Sequence, residues 1–250
     1  ATGSGHSVAS GRLSYTLGAN GPCMSIDTAC SAALTATHYA ATALWRDKCH
    51  FAVAAGINMM LSPIIGGRFA LAGMTSPNGR CHTFDARADG YVRAEACCAA
   101  ALGAADAEGL LYEAAIEPED GVAPLQLPGS AVRQDGRSAS LTAPNGQAQQ
   151  GLLTAALSDG ACLAETLVIA EAHGTGTGLG DPIEVSSFAG AVLAPRREVD
   201  ANSLPLGGVK ANIGHAEPAA GISGLFKLAI SLGAGKVEPN AKLRVLNPHL

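Results

Sequence analysis

Three residues with reactive side chains, Cys30, His173 and His215, each follow an apolar run of the sequence. Cys30 ends the run PCMSIDTAC, and the helix-like segment SAALTATHYAATALWRD follows it directly. A cysteine at such a junction lies at a helix N-terminus, where unpaired N–H groups favour the thiolate and can stabilise an oxyanion. Because most free cysteines are inert core thiols, the position alone leaves both interpretations of Cys30 open.

His173 lies in the segment EAHGTGTGLGD, directly after the apolar run TLVIA. Alternating glycines remove bulk from around this histidine and leave the backbone open to a ligand. Thr175 and Thr177 add hydroxyl groups that suit an elongated polar ligand. The glycines do not form the dinucleotide-binding pattern G-x-G-x-x-G, because Leu179 and Asp181 stand where its last glycine is needed.

Lys210 and His215 share the segment VKANIGHAEPAAG, another loop that leaves an apolar run, and Asn212 and Gly214 suit a tight turn within it. The apolar stretches on both sides draw Lys210 toward the interior, where its ammonium group needs an anionic partner. Three carboxylates qualify, and the sequence does not rank them: Asp181, Glu184 and Glu217.

One cysteine and two histidines on strand-end loops suit nucleophilic acyl transfer, in which two imidazoles stabilise a thioester oxygen. Metal and hydrolase chemistry have weaker support, since the sequence contains neither H-E-x-x-H nor G-x-S-x-G. Its 7 cysteines also include no C-x-x-C pair. We therefore predict no metal site.

Composition narrows the class of protein. The 250 residues are 48% hydrophobic and 15% charged, which supplies enough apolar surface for a sizeable core. A net charge of -5 without a basic block argues against a nucleic-acid partner. No apolar run reaches the ~18 residues of a membrane span. The N-terminal stretch lacks the features of a signal peptide, so the predicted location is cytoplasmic, with a plastid or another organelle as the alternative.

Strand-like and helix-like segments alternate along the chain. Four segments are predicted to contain buried strands. In 22–30, 165–181 and 204–221 the predicted strand feeds a loop, and 51–61 is a further strand candidate. Helix-like segments follow the first and the last of the four along the chain, at 31–47 and 219–235. Residues 62–80 are predicted to be a connection marked by glycine and proline, and 117–147 and 193–205 are predicted to be irregular. The alternation predicts a single α/β domain over 1–250, with a mostly parallel or mixed sheet between helices.

Five segments of this sequence resemble, in order, the motif series of β-ketoacyl synthases, most closely the ketosynthase domains of modular type I polyketide synthases: GPCMSIDTACSAAL, FDARADGYVRAE, LTAPNGQAQ, VIAEAHGTGTGLGDPIEV and GGVKANIGHAEPAAGISGLFKL. The similarity runs from about residue 3 to the end. It implies a thiolase-like fold, an αβαβα layered sandwich in a homodimer. It also implies decarboxylative Claisen condensation, with acyl carrier protein and acyltransferase domains in the same polypeptide.

The resemblance assigns roles to residues of the matching motifs. Cys30 resembles the nucleophile that takes an acyl chain from a phosphopantetheine thioester, and His173 and His215 resemble the pair that promotes malonyl decarboxylation. Lys210 resembles the lysine that organises the second histidine. Substrates arrive on the phosphopantetheine of the carrier protein, and no permanently bound cofactor is expected. The remaining predicted site residues are supporting carboxylates and pantetheine contacts, namely Asp181, Glu184, Glu217, Thr175, Thr177 and Asn212.

Departures from the family pattern keep alternatives open. Family sequences begin upstream of residue 1 and continue to a glycine- and phenylalanine-rich motif beyond residue 250, so this chain is expected to be an internal part of one domain, truncated at both ends. Ala94, Ala96 and Cys98 replace glycines, at ~1 kcal/mol each if those positions need positive φ or close packing. Arg133 replaces a usual Asn. The alternatives are an impaired ketosynthase-like domain that docks or gates carrier protein, the equivalent domain of a fatty acid synthase, or a thiolase that uses coenzyme A, which the two histidines disfavour.

Overall fold

A computed structural model of the chain describes residues 3, 5–104, 125–140, 142–198 and 204–250. Short 3-10 turns at Ala29–Ser31, Ala164–Thr166, Pro195–Glu198 and Glu217–Ala219, and a π-helical turn at Ala189–Leu193, join or extend the main elements. In chain order the main elements are α1 (His6–Leu17), α2 (Ala32–Trp45), β1 (Phe51–Asn58), α3 (Pro63–Leu71), β2 (Ala96–Gly103), α4 (Gly146–Asp159), β3 (Ala170–Glu171), α5 (Gly180–Phe188), β4 (Leu206–Gly207), α6 (Lys210–Ile213) and α7 (Ala220–Ala234).

An antiparallel pair of strands, β1 and β2, packs against α2 and α7. The buried contact contains Ala33 of α2 and Ile222 of α7, and Cys98 of β2 packs against it. Gly56 of β1 lies opposite Cys98, and a Cβ added to Gly56 would lie 2.7 Å from the Cβ of Ala33. Strand and helix backbones therefore approach so closely here that only glycine fits.

A second group of elements surrounds a short parallel pair, in which β3 lies beside β4. Its core contains Ala164, Phe188 and Val192, and Leu153 and Leu157 of α4 pack against it. Both strands stop after two residues, and the chain then enters the glycine-rich loop after β3 and the short helix α6 after β4. Because parallel strands end at the same edge of a sheet, the two loops that carry His173 and His215 begin side by side.

Several elements predicted from the sequence are confirmed. The strand at 51–61 is β1, and the helices at 31–47 and 219–235 are α2 and α7. α7 ends at Gly235, whose left-handed φ of 60° suits a glycine cap. Residues 125–140 form no helix or strand, as predicted. Parts of the two segments predicted to be irregular lie outside the described residues, namely 117–124, 141 and 199–203.

Two predictions about local structure are wrong. The glycine- and proline-marked connection contains α3, because Ser62 caps the amide of Ile64 and Pro63 occupies the first helical position. The run at 22–30 forms no strand with any described residue and ends in the 3-10 turn. The segments 165–181 and 204–221 each contain a strand that feeds a loop, as predicted, but these strands, β3 and β4, are only two residues long. Apolar runs predicted strands, but a strand also requires a neighbouring strand for its backbone hydrogen bonds.

The replaced glycines have ordinary backbone conformations. Ala94, Ala96 and Cys98 are absent from the non-glycine residues with positive φ in the described part of the chain. Ala96 and Cys98 lie in β2, and the amide of Ala94 donates to the carbonyl of His215 at 2.9 Å. The left-handed strain considered for these positions therefore does not arise. No helix among the described residues is long and apolar enough to cross a membrane.

Candidate active site

Cys30, His173 and His215 come together, although they are far apart in sequence. The Sγ atom of Cys30 and a ring nitrogen of each histidine lie within 4.8 Å of one another. The two imidazole rings stand nearly perpendicular, with centroids 5.4 Å apart and an interplanar angle of 87°. Among the described residues, these three side chains also form a cluster whose ligand atoms are close enough together to hold a metal ion.

A strained turn presents Cys30 at the start of α2. Ala29 has a φ of 53°, a left-handed conformation that a residue with a Cβ rarely adopts. Asp27 Oδ1 accepts the Ala29 amide at 3.0 Å, and the Ser31 hydroxyl donates to the Thr28 carbonyl at 2.9 Å. These bonds hold a sharp bend between an extended segment and a helix, so the cysteine side chain projects from the bend.

The backbone around His173 is held from three sides. The Glu184 carboxylate accepts the amides of both His173 and Gly174, the second at 2.8 Å. Thr83 Oγ1 donates to the Gly174 carbonyl at 2.6 Å, and Lys210 Nζ donates to the His173 carbonyl at 2.6 Å. These bonds fix the backbone position from which the imidazole projects.

Asp181 joins the glycine-rich loop to a neighbouring loop. Its carboxylate is fully buried and accepts the amide of Gly176 at 3.1 Å and the amide of Phe84 at 2.9 Å. Gly176 has a φ of 75°, and a Cβ there would lie 2.6 Å from the His82 amide nitrogen. Glycine is therefore required at this position for both its φ and its lack of a side chain.

His215 has a defined tautomer. Its Nδ1 accepts the amide of Glu217 at 3.0 Å, so the proton of the neutral ring lies on Nε2. Burial and, to a smaller extent, the charge of Lys210 together lower the pKa of His215 to about 3. His173 is exposed to the cleft. The protein atoms around it, followed by the charges of Lys210 and His215, lower its pKa below 6.5. Both imidazoles are neutral N–H donors at neutral pH.

Lys210 is buried, as the sequence indicated, but it forms no ion pair with a described residue. Burial lowers its pKa, and Glu184 exerts the largest opposing charge effect. Burial likewise raises the pKa of Glu184. Of the other two candidate partners, Asp181 binds backbone amides, and Glu217 pairs with a residue that we did not predict for the site, Arg93.

Arg93 and Tyr91 lie behind His215. Arg93 binds the Glu217 carboxylate through Nε and through Nη2, the latter at 3.0 Å, and both side chains are mostly buried. The ring of Tyr91 meets the His215 ring edge to face, with centroids 4.8 Å apart. Both residues belong to the segment FDARADGYVRAE. Because this segment resembles a β-ketoacyl synthase motif, the resemblance could have identified them as site residues, whereas their residue types alone could not.

A cleft of about 1020 Å³ opens onto Cys30 and His173. Thr175, Thr177 and Asn212 are not among the residues that line it. The two threonine hydroxyls instead lie 3.2 Å apart, and Thr177 Oγ1 accepts the Gly180 amide at 3.1 Å. The lining residues come from the turn before α2, the first turn of α2, the irregular segment before α4 and the glycine-rich loop: Thr28, Cys30, Ser31, Thr35, Val132, Arg133, Gln134, Asp135, Gly136, Arg137, Ser138, Ser140, Thr142, Ala143, Pro144 and His173.

Family models agree with this arrangement. The beta-ketoacyl synthase N-terminal domain matches residues 1–107, and the beta-ketoacyl synthase C-terminal domain matches residues 126–244. The chain therefore belongs to the β-ketoacyl synthase family. The first match contains Cys30, and the second contains both histidines.

Polyketide synthases are among its relatives. The chain is 42% identical to a phenolphthiocerol/phthiocerol polyketide synthase of Mycobacterium tuberculosis (strain CDC 1551 / Oshkosh), over 100% of this chain and 13% of that protein. It is 43% identical to erythronolide synthase EryA3 of Saccharopolyspora erythraea, over 94% of this chain and 7% of that protein. The chain thus spans a small part of the curated relatives it matches.

Solved ketosynthases share the fold. The chain superposes on the oxazolomycin ketosynthase domain OzmH KS7 of Streptomyces albus JA3453 with a TM-score of 0.88 at 34% identity, covering 99% of this chain and 41% of that one. It superposes on the ketosynthase from module 6 of the bacillaene synthase of Bacillus subtilis 168 with a TM-score of 0.85 at 31% identity, covering 99% and 42%. The predicted thiolase-like α/β fold is confirmed.

Proposed function

We propose that this protein is a β-ketoacyl synthase-type acyltransferase that elongates a polyketide chain by decarboxylative Claisen condensation, with Cys30, His173 and His215 as its catalytic residues. One observation carries the proposal: a thiol and two imidazole nitrogens lie within 4.8 Å of one another. Such a set offers a nucleophile and two N–H donors to one thioester carbonyl.

In the first half-reaction the Cys30 thiolate attacks the acyl thioester carried on the phosphopantetheine of an acyl carrier protein. A new C–S bond forms to Cys30, the bond to the carrier sulfur breaks, and the carrier leaves as a thiol with the proton that Cys30 gave up. The amide of Cys30 stabilises the tetrahedral oxyanion. Thr175, Thr177 and Asn212 are the proposed contacts of the pantetheine arm.

In the second half-reaction a malonyl-type carrier thioester loses CO₂, and negative charge develops on its thioester oxygen. His173 and His215 are the proposed donors to that oxygen, and their lowered pKa values support this role because both rings stay neutral. Removing one such donor typically costs about 3–4 kcal/mol of transition-state stabilisation. The enolate carbon then attacks the acyl group on Cys30, and the released thiolate takes a proton from solvent.

Four further residues are proposed to support the histidines. Lys210 holds the His173 carbonyl, and Glu184 holds the amides of the same loop. Asp181 fixes the loop near Gly176, and the amide of Glu217 sets the tautomer of His215. In this scheme the four residues position the reacting groups and do not touch the substrate.

The partners that we propose are an acyl carrier protein and an acyltransferase domain in the same polypeptide. The matched relatives support this, since the chain spans 13% of the first of them and other parts of such a protein have room for further activities. Substrates come on carrier phosphopantetheine, with no permanently bound cofactor. The homodimer, the single domain and the cytoplasmic location remain predictions.

Acylation of Cys30 tests the proposed function. The full-length protein is incubated with an acyl-carrier thioester, and the mass of the Cys30 peptide is measured; we expect acyl label in the wild type and in Cys97→Ala, an exposed cysteine used as the control. Absence of label, or equal label in Cys30→Ala, would contradict the proposal. Adding malonyl carrier should release CO₂ and form a β-ketoacyl product, whereas carrier binding without product would favour the docking or gating alternative.

A further inference from the structure

Two arginines line the same cleft as Cys30 and His173. Arg133 and Arg137 lie on the irregular segment before α4, and both are exposed to the cleft. Neither side chain forms an ion pair or a hydrogen bond with another side chain among the described residues. Two arginines of the cleft that contains Cys30 thus have guanidinium groups without a protein partner among the described residues.

The charge of the cleft is positive in a chain whose net charge is -5. Its lining contains one carboxylate, that of Asp135, and Oδ2 of this group accepts the Asn145 amide at 3.0 Å. Because His173 is neutral, it does not add to the repulsion between the guanidinium groups. An anion that enters the cleft therefore meets two cations and one carboxylate that is already hydrogen-bonded.

Arg133 occupies a space that a missing side chain leaves open. Its Nη1 lies 3.0 Å from the position where a Cβ would stand on Gly151, and apart from the adjacent residues and the backbone of α4 no other described heavy atom lies within 4 Å of that position. Gly151 is in the interior of α4, where glycine is unfavourable relative to alanine by about 1 kcal/mol. The absent Cβ lets the guanidinium group lie against the helix.

We propose that Arg133 and Arg137 form a subsite for an anionic oxygen group of the thioester substrate, either the phosphate of phosphopantetheine or a carboxylate at the end of the acyl chain. The inference rests on the proposed function for the identity of the substrate. Guanidinium groups bind both kinds of oxyanion through charge-assisted, often bidentate hydrogen bonds. The subsite sets which thioesters bind, and it takes no part in bond making.

Binding of unreactive amide analogues tests the subsite independently of catalysis. Three probes are titrated calorimetrically into the full-length protein: hexanoyl-amide pantetheine, which is neutral, its 4′-phosphate, and glutaryl-amide pantetheine. We expect at least one anionic probe to bind about tenfold more tightly than the neutral probe, as for one charge-assisted contact. A preference for the phosphate alone identifies the carrier arm, and a preference for the glutaryl probe alone identifies an acyl carboxylate.

Variants then assign the preference to this cleft. Arg133→Ala and Arg137→Ala should each reduce the preference for the anionic probe to about twofold or less. Gly151→Leu keeps every arginine, but its side chain should displace Arg133 and so weaken the same preference. Arg46→Ala, an exposed arginine after α2, removes the same charge away from the cleft and should leave the preference unchanged.

Equal binding of the three probes by the wild type, no binding of any probe, or an equal loss in Arg46→Ala would overturn the subsite. A different result distinguishes failure of the proposed function from failure of the subsite. A protein that never acylates Cys30 but still prefers an anionic probe through Arg133 and Arg137 would refute the condensation and leave the subsite standing.

Discussion

The amide of Glu217 donates to Nδ1 of His215 at 3.0 Å, while the carboxylate of the same residue is bound by Arg93. Glu217 has a φ of 46°, a conformation that a non-glycine residue adopts only when its surroundings enforce it. The ion pair supplies this constraint, because both side chains are mostly buried, at 12% and 16% exposed. Arg93 thereby supports the tautomer of His215 through Glu217, and its own backbone forms a parallel β-bridge with His215.

Arg93→Met should lower the free energy of unfolding by about 3 kcal/mol, because it leaves the Glu217 carboxylate mostly buried and unpaired. The condensation rate should fall as well, while acylation of Cys30 should change less, since only His215 loses its constraint. The measurements are a urea titration and the two half-reactions. Glu238→Gln breaks the exposed Lys236–Glu238 pair and should lower the free energy of unfolding far less than Arg93→Met does, because solvent screens this pair. Equal losses in the two variants would contradict the special role of Arg93.

Stability should fall as the pH is lowered from 7 to 5. The pKa of His215 is about 3 in the folded protein against an ordinary value of 6.5, so the unfolded chain binds more protons within that window. This single histidine should cost about 2 kcal/mol at pH 5. Urea midpoints at both pH values measure the loss, and it should be about 2 kcal/mol smaller in His215→Gln. An unchanged pH dependence in that variant would show that His215 is not held neutral by burial.

Lys210→Met should raise the pKa of His215, because the ammonium charge of Lys210 is one of the two causes that lower it. The value should remain below 6.5, since burial is the larger cause. Titration of the imidazole resonances by NMR measures the change. Lys236→Met is the matched control, because it removes an exposed ammonium group that is not among the causes of the pKa shift of His215. A lower pKa of His215 in Lys210→Met would contradict this account of the site.

Gly176→Ala and Gly73→Ala separate two reasons for glycine. Both have positive φ, 75° and 68°, but a Cβ at Gly176 would lie 2.6 Å from the His82 amide nitrogen, whereas nothing lies within 4 Å of one at Gly73. Gly73→Ala should cost about 1 kcal/mol from conformation alone. Gly176→Ala should cost more than about 2 kcal/mol and slow condensation, because the backbone after His173 must move. Thermal unfolding and product formation test this, and similar costs for both variants would count against the clash.

Prediction from the sequence was most successful for helices and least successful for strands. α2 and α7 carry their own backbone hydrogen bonds, so an apolar pattern and a glycine stop were enough to predict them. The run at 22–30 has the same apolar character as β1, but no described strand lies beside it. The helix α3 was missed because its glycines and proline were interpreted as marks of a connection, whereas Ser62 and Pro63 begin a helix.

The sequence alone indicated which residues could react, but it did not indicate which side chains contact one another in the folded protein. A cysteine before a helix and two histidines in glycine-bearing loops were enough to predict acyl-transfer residues, because reactivity depends first on residue type and local turn. The choice among Asp181, Glu184 and Glu217 required tertiary structure, since each carboxylate took the donors that folding brought to it: loop amides, the amides after β3, and Arg93. The neutrality of His173 and His215 was likewise decided by folding, because burial and the charge of Lys210 exist only once distant segments have packed together.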